Sequence, residues 1–142
     1  MGRVIAIANQ KGGVGKTTTA INLGASLAVA EKRTLIVDSD PQSNATSGLG
    51  IAQDPALPDI YDCLINDVPV AEALRQSVHF PMLDVIPASR DLAGAEIELI
   101  ERPNRERVLR SALEPVRDDY DYILIDSPPS LGLLTLNALV AS

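Results

Sequence analysis

The chain has 142 residues, of which 46% are hydrophobic and 22% are charged, and its formal net charge at pH 7 is −7. That length accommodates one domain with its own core and is too short for two. The negative charge argues against nucleic-acid binding by general basic coverage, because such binding depends on neutralising phosphates with lysine and arginine.

The chain opens with a predicted strand, a glycine-rich loop and a helix. The run Val4–Ala8 is apolar throughout, which is typical of a strand buried on both faces. A loop follows from Asn9 to Gly15, and the spacing of apolar residues predicts a helix from Thr17 to about Ala30. Thr34–Val37 predicts a second buried strand, and the Ser, Asn, Thr and Gly content of residues 42–50 predicts a loop.

The remaining elements alternate between helix and strand. In chain order we predict short helices over Asp59–Ile65 and Val70–Ser77, a strand over Leu83–Pro87, helices over Leu92–Glu101 and Arg105–Val116 with a break at Pro103, a strand over Tyr122–Asp126, and a helix that begins near Leu131. Strands that alternate with helices imply βαβ units. The predicted fold is therefore α/β, with a mostly parallel sheet and helices on both faces.

The loop after the first strand carries a phosphate-binding pattern. Its glycines let successive backbone N–H groups converge on an anion, and the N-terminus of the following helix adds unpaired donors and a partial positive charge. Lys16 can then reach the β- and γ-phosphates, and the Thr17 hydroxyl can ligate Mg²⁺. A glycine-rich turn without a ligand is the alternative, and the two lysines and two threonines disfavour it. The predicted nucleotide-binding residues are Lys11, Gly12, Gly13, Val14, Gly15, Lys16, Thr17 and Thr18.

Three aspartates follow predicted strands. Asp38 and Asp40 come at the end of the second strand, and Asp126 ends the strand Tyr122–Asp126. Ligands of an open parallel sheet bind beyond the carboxyl ends of its strands, so we expect all three to face Lys16. Asp126 follows an apolar run, the Walker B pattern, and should hold Mg²⁺ through water. Each aspartate could instead cap a helix or a turn.

The loop departs from the pattern G-x-x-x-x-G-K-[ST] at Gln10, and a lysine, Lys11, follows it. This K-G-G-x-G-K-[ST] form resembles the ParA/MinD family of P-loop ATPases. Residues 38–42, Asp-Ser-Asp-Pro-Gln, resemble the family's switch I, and residues 127–131, Ser-Pro-Pro-Ser-Leu, resemble its switch II. The resemblance extends from Val4 through Asn137 and favours ParA over MinD. It implies the P-loop NTPase fold, with ATP and Mg²⁺ as cofactors.

The resemblance also implies roles for single residues. Lys11 reaches across an ATP-bridged dimer interface to the other subunit's nucleotide, and it is catalytic together with Lys16 and Asp40. Asp40 polarises the attacking water. The metal residues are Thr17 and Asp126, with Asp38 near the metal behind them. The family commonly has an apolar residue where this chain has Ser39 and glycine where it has Ser43.

The implied activity is an ATPase cycle in chromosome or plasmid partitioning. ATP drives a homodimer, the full-length dimer binds DNA non-specifically at the nucleoid, and a ParB-type partner stimulates hydrolysis. ParA-type proteins continue beyond the position of Ser142, so we expect residues 1–142 to be one P-loop domain truncated at its C-terminus. No apolar run approaches the roughly 20 residues that span a bilayer, so we expect a cytoplasmic protein without stable membrane insertion.

Three other functions share the phosphate loop. A MinD-like membrane-cycling ATPase would need a C-terminal amphipathic helix, and none is visible before Ser142. An iron–sulfur reductase would need several thiolates, whereas the sequence has the single cysteine Cys63, which we interpret as a core residue. An ATP-dependent ligase or synthase stays open. We expect a surface or structural role for His79. The arginines Arg102, Arg105, Arg107 and Arg110 alternate with glutamates, which indicates a solvated helical face, and a DNA-facing role is the alternative for them.

Overall fold

The computed structural model describes residues 2–8 and 14–142, with Val14 described by its backbone alone. The strands are β1 (Arg3–Ile7), β2 (Thr34–Asp38), β3 (Leu83–Ile86) and β4 (Tyr122–Asp126). The α-helices are α1 (Val14–Val29), α2 (Asn44–Gly48), α3 (Ile60–Ile65), α4 (Val70–Ala73), α5 (Ala95–Glu98), α6 (Val108–Leu113) and α7 (Leu133–Ala141). Short 3-10 helices cover Arg90–Gly94, Leu99–Glu101, Arg105–Arg107 and Glu114–Asp119.

The described strands form one parallel sheet in the order β1-β4-β2-β3. The strand before the phosphate loop, β1, therefore lies beside β4, the strand with the Walker B pattern. β1 is an edge strand of this sheet, with β4 as its neighbour on one side. The predicted α/β fold with a parallel sheet is confirmed.

Two cores, one on each face of the sheet, explain the uninterrupted apolar runs. Leu35 and Ile123 belong to the larger core, in which β2 and β4 pack with α3, α6 and α7. Ile36 and Leu124 belong to the opposite core, which α1 covers. Gly24 allows α1 to approach closely, because a Cβ at this position would lie 2.6 Å from Ile36 Cδ1. Each central strand thus buries alternate residues on opposite faces, and both faces need apolar side chains.

The structure corrects three of the predicted elements by more than two residues. Helix α1 begins at Val14, three residues before the predicted start at Thr17. Residues 42–50, predicted as loop from their composition, contain α2, whose Ala45 and Thr46 are buried. The helix predicted over Val70–Ser77 ends at Ala73, because Arg75 pairs with Val85 in an antiparallel bridge through two backbone hydrogen bonds of 2.7 and 2.9 Å.

The helices predicted over Leu92–Glu101 and Arg105–Val116 are present in position, but neither is a continuous α-helix. Residues 90–101 and 105–119 each combine one short α-helix with 3-10 turns. The predicted break at Pro103 is present, since Arg102 is extended and Asn104 has a left-handed backbone with φ of 53°. Pro115 lies in the 3-10 helix Glu114–Asp119, where it lacks the N–H that would continue α6.

Cys63, His79 and Arg102, for which no catalytic role is expected, are each held within the fold. Cys63 is buried in α3, and burial raises the pKa of its thiol to about 12. His79 Nε2 lies 2.6 Å from the carbonyl oxygen of Leu49. Arg102 does not simply face solvent: it donates to Leu64 O and Ile65 O at the end of α3, both at 3.0 Å. Burial of Cys63 and the contacts of His79 and Arg102 thus give each of the three residues a structural role.

Ser43 precedes α2 with a left-handed backbone, φ 57° and ψ 32°. This conformation explains the glycine that the resembled family commonly has there, because a Cβ is disfavoured at positive φ. Ser43 makes no side-chain capping bond to α2. The Cβ of Ser43 therefore lowers the stability of the loop between β2 and α2.

We predict that Ser43→Gly is more stable than Ser43→Ala by about 1 kcal/mol. Both variants lack the hydroxyl, and alanine alone keeps a Cβ at positive φ. Urea unfolding followed by circular dichroism measures the difference. Ser47, inside α2, is the matched control, where alanine should be the more stable replacement by roughly 0.5–1 kcal/mol. Equal stability of the two Ser43 variants would contradict the strain.

Candidate functional site

The site is built on the carboxyl ends of three neighbouring strands. The sheet register places Ile7, Asp126 and Asp38 side by side at the ends of β1, β4 and β2. The ladder continues one residue further, since Ser39 N donates to Asp126 O at 2.8 Å and Ser127 N donates to Ile7 O at 3.2 Å. The aspartates therefore stand on a hydrogen-bonded sheet edge, as their positions in the sequence predict.

Helix α1 brings a cation to this edge. Lys16, in its first turn, is only 6% exposed, and its Nζ donates to Asp126 Oδ1. The same nitrogen lies 3.6 Å from Asp40 Oδ2. Thr17 Oγ1 donates to Asp126 Oδ2 at 3.1 Å, so both carboxylate oxygens of Asp126 contact the first turn of α1. The predicted juxtaposition of Lys16, Thr17, Asp40 and Asp126 is present.

Asp38 lies in the same cluster but contacts other groups. Its Oδ1 accepts from Asp40 N at 3.1 Å, and its Oδ2 accepts from the amide and hydroxyl of Thr46 at 2.9 and 2.7 Å. It is fully buried, and this burial raises its pKa to about 6 against the opposing effect of the hydrogen bonds. Asp38 is next to Asp126 in the register, and both of its carboxylate oxygens accept hydrogen bonds from Asp40 or Thr46.

The cluster has more negative than positive charge. Asp38, Asp40 and Asp126 are all buried, and the cation among the described residues in contact with them is Lys16. Burial raises the pKa of Asp126, and the hydrogen bond from Lys16 opposes that rise. With all three carboxylates ionised, the formal charge of these four groups is −3 + 1 = −2. A divalent cation would offset this charge.

The donor set at the edge suits Mg²⁺. Carboxylate and hydroxyl oxygens from Asp126 and Thr17 are hard ligands, and Mg²⁺ binds through one or two such groups while phosphates and waters complete its shell. No cluster of three or more His, Cys, Asp or Glu residues arranged to hold a metal occurs within residues 2–8 and 14–142. The arrangement therefore fits a metal held jointly with a phosphate ligand.

Part of the predicted loop lies outside the described residues. Lys11, Gly12 and Gly13 belong to that part, so their roles stay predictions from the sequence. Val14 opens α1, and Gly15 is exposed in its first turn.

Thr46 is a residue of the site that its sequence context does not reveal. It lies in the segment predicted as a loop, and only its contacts with Asp38 and Ala88 show its place at the site. A threonine in a Ser-, Asn- and Gly-rich segment has no periodicity that distinguishes a buried hydroxyl from a solvated one.

A buried lysine in the helix that follows β1, bonded to the aspartate that ends the neighbouring parallel strand, defines a P-loop nucleotide-binding protein. The chain belongs to the AAA domain family, whose model matches residues 2–142. The resemblance to ParA-type P-loop ATPases is confirmed by relatives over the whole chain.

Chromosome partitioning protein ParA of Myxococcus xanthus is 62% identical over 142 residues, which are 100% of this chain and 50% of that protein. Sporulation initiation inhibitor protein Soj of Bacillus subtilis is 58% identical over 142 residues, which are 100% of this chain and 56% of that protein. The crystal structure of cobyrinic acid a,c-diamide synthase from Mycobacterium smegmatis with bound ATP analogue and magnesium has a TM-score of 0.93 at 44% identity, and the match covers 100% of this chain and 57% of that one. The chain thus spans about half the length of the relatives it matches.

None of the helices in the described part of the chain combines the length and apolar character that crossing a membrane requires.

We predict that Lys16→Met destabilises the chain by about 3–5 kcal/mol at neutral pH, because it leaves buried carboxylates without their cation. The cost should shrink on acidification. A carboxyl group whose folded pKa is raised contributes less stability as pH rises through that pKa, and the raised pKa of Asp126 would rise further without Lys16. Urea unfolding at about pH 7.5 and about pH 5 measures the change.

The control is the double variant Lys16→Met with Asp126→Asn, in which both partners are neutral and similar in shape. It should recover part of the stability lost by Lys16→Met alone. A cost that stays constant across pH, or a double variant with the summed cost of both changes, would contradict the pairing.

Proposed function

We propose that this chain binds Mg·ATP and supplies the hydrolytic residues of an ATPase that acts in chromosome or plasmid partitioning. The observation that carries the proposal is the contact of Lys16 Nζ with Asp126 and its 3.6 Å separation from Asp40 at the carboxyl edge of the sheet. A lysine, a threonine and strand-end carboxylates in this arrangement are the parts that phosphoryl transfer requires. The identity to ParA and Soj supports the partitioning role.

Lys16 would hold the β- and γ-phosphates. Its ammonium has three donors, of which one is directed to Asp126 Oδ1, and its position at the N-terminus of α1 adds the positive end of the helix. Further phosphate contacts would come from the rest of the predicted loop and the start of α1, namely Lys11, Gly12, Gly13, Val14, Gly15 and Thr18. Thr17 and Asp126 would hold Mg²⁺, which neutralises charge on the phosphate oxygens when bound.

Asp40 is the proposed residue for the attacking water. Its Oδ1 accepts from Gln42 N at 2.9 Å, which fixes the carboxylate, and its Oδ2 faces Lys16 at 3.6 Å. A carboxylate oxygen fixed in this way can accept a hydrogen bond from water and orient it.

We further propose that the whole protein acts as an ATP-dependent homodimer. Lys11 of each subunit would reach the nucleotide of the other, a ParB-type partner would stimulate hydrolysis, and the full-length dimer would bind DNA non-specifically at the nucleoid. With a net charge of −7, residues 1–142 would contribute to DNA binding through a local patch at most.

An ATP-dependent synthase is the second candidate, favoured by the TM-score of 0.93 to a protein described as cobyrinic acid a,c-diamide synthase. The two functions differ in what accelerates ATP hydrolysis. A partitioning ATPase should respond to a ParB-type protein with DNA, and a synthase should respond to its small-molecule substrate. The 62% and 58% identities to partitioning proteins, against 44% to the synthase, support partitioning first.

We predict that Asp40→Asn lowers kcat for ATP hydrolysis by roughly 10²-fold or more while ATP affinity stays within about threefold. The amide keeps the shape of the side chain but is a poorer acceptor for water. A phosphate-release assay beside isothermal titration separates the two effects. Asp54→Asn, at an exposed loop position, is the control and should hydrolyse ATP at the parent rate. Parent-like turnover by Asp40→Asn would remove this residue from the mechanism.

We predict that Lys11→Ala abolishes ATP-dependent dimers and leaves ATP binding to the monomer nearly intact, because its proposed phosphate contact lies in the other subunit. Sedimentation velocity with a non-hydrolysable ATP analogue measures the dimer. Lys16→Ala is the comparison variant, and it should weaken ATP binding itself by roughly 10- to 150-fold. Dimers that persist in Lys11→Ala would contradict the assignment.

A further inference from the structure

Thr46 makes two hydrogen bonds to one buried carboxylate. Its backbone amide donates to Asp38 Oδ2 at 2.9 Å, and its hydroxyl donates to the same oxygen at 2.7 Å. Thr46 is 1% exposed and Asp38 is fully buried, so water does not compete for either group. Two donors on one oxygen hold the carboxylate of Asp38 in a single orientation.

A third contact settles the direction of the Thr46 hydroxyl. Ala88 N lies 2.9 Å from Thr46 Oγ1, and a backbone amide can only donate. The hydroxyl oxygen therefore accepts from Ala88, and its proton points to Asp38. Ala88 follows β3 and is itself fixed, since its carbonyl accepts from Gln53 Nε2 at 3.0 Å. Thr46 thus joins the carboxyl ends of β2 and β3.

Asp38 transmits this constraint to Asp40. The second oxygen of the Asp38 carboxylate, Oδ1, accepts from Asp40 N at 3.1 Å. On its other side Asp40 O accepts from Ser43 N at 2.8 Å, and Asp40 Oδ1 accepts from Gln42 N at 2.9 Å. The position of the Asp40 carboxylate beside Lys16 therefore depends on how Asp38 is oriented.

We propose that Thr46 is a positioning residue that sets the Asp40 carboxylate through Asp38, an inference that rests on the ATP hydrolysis proposed above. The side-chain hydrogen bonds of Thr46 go to Asp38 and Ala88, and not to Lys16 or Thr17. Its loss should therefore slow turnover without weakening nucleotide binding. Displacement of a reacting group by about 1 Å costs on the order of 10²-fold in rate.

Three variants of the full chain test the proposal. Thr46→Val keeps the shape and removes the hydroxyl, Thr46→Ser restores the hydroxyl, and Thr34→Val is the matched control. Thr34 is a buried threonine at the opposite end of β2, where its hydroxyl donates to Lys32 O at 2.9 Å. Its replacement removes one hydroxyl hydrogen bond to a neutral carbonyl, far from Asp40, whereas Thr46→Val removes both the bond to the Asp38 carboxylate and the acceptor of Ala88 N.

Steady-state kinetics give the first readout. Thr46→Val should lower kcat by roughly 10- to 100-fold with KM for ATP within about threefold, and Thr46→Ser and Thr34→Val should keep kcat within about threefold of the parent. Amide hydrogen exchange gives the second: exchange at Asp40 and Ala88 should be faster in Thr46→Val alone.

Parent-like kcat in Thr46→Val, or an equal loss in Thr34→Val, would overturn the positioning role. A parent chain that neither binds Mg·ATP nor hydrolyses it would contradict the proposed function instead. In that case the exchange measurement still decides the link between Thr46 and Asp40, since unchanged exchange at Asp40 in Thr46→Val would refute it.

Discussion

The site depends on one interaction, the pairing of the buried Lys16 ammonium with the carboxylates of Asp126 and Asp40. Moving an ammonium and a carboxylate out of water costs several kcal/mol per ion, and only close pairing offsets that cost. Asp126 supplies the pairing by direct contact and Asp40 adds a second carboxylate at 3.6 Å. The first turn of α1 must therefore lie against the ends of β4 and β2, because any other placement would leave three buried charges uncompensated.

The sheet makes this placement possible. Because β1, β4 and β2 are parallel and in register, Ile7, Asp126 and Asp38 come to one edge, and the chain from β1 enters α1 at that same edge. The close approach of α1 to β2 at Gly24 fixes the helix against the sheet. A ligand that carries phosphate would meet a lysine, a hydroxyl and the start of a helix there, with carboxylates behind them.

The loop between β2 and α2 shows how a buried carboxylate can organise a backbone. Asp38 receives three donors from Asp40 and Thr46, and Thr46 is bonded in turn to Ala88. The left-handed backbone of Ser43 closes the turn between them, at a cost in stability that glycine would avoid. The loop is consequently specified by hydrogen bonds to buried partners rather than by an apolar pattern.

The sequence by itself determined the parallel α/β fold and the group Lys16, Thr17, Asp40 and Asp126. Uninterrupted apolar strands signal burial on both faces, and the phosphate-loop pattern has a fixed local geometry between strand and helix. Only the tertiary structure decided that residues 44–48 form a helix, that the helical patterns near Pro103 break into 3-10 turns, and that Asp38 faces Thr46. Local composition carries no information about a partner 42 residues away, such as Ala88 for Thr46, because that contact exists only once β2 and β3 have paired.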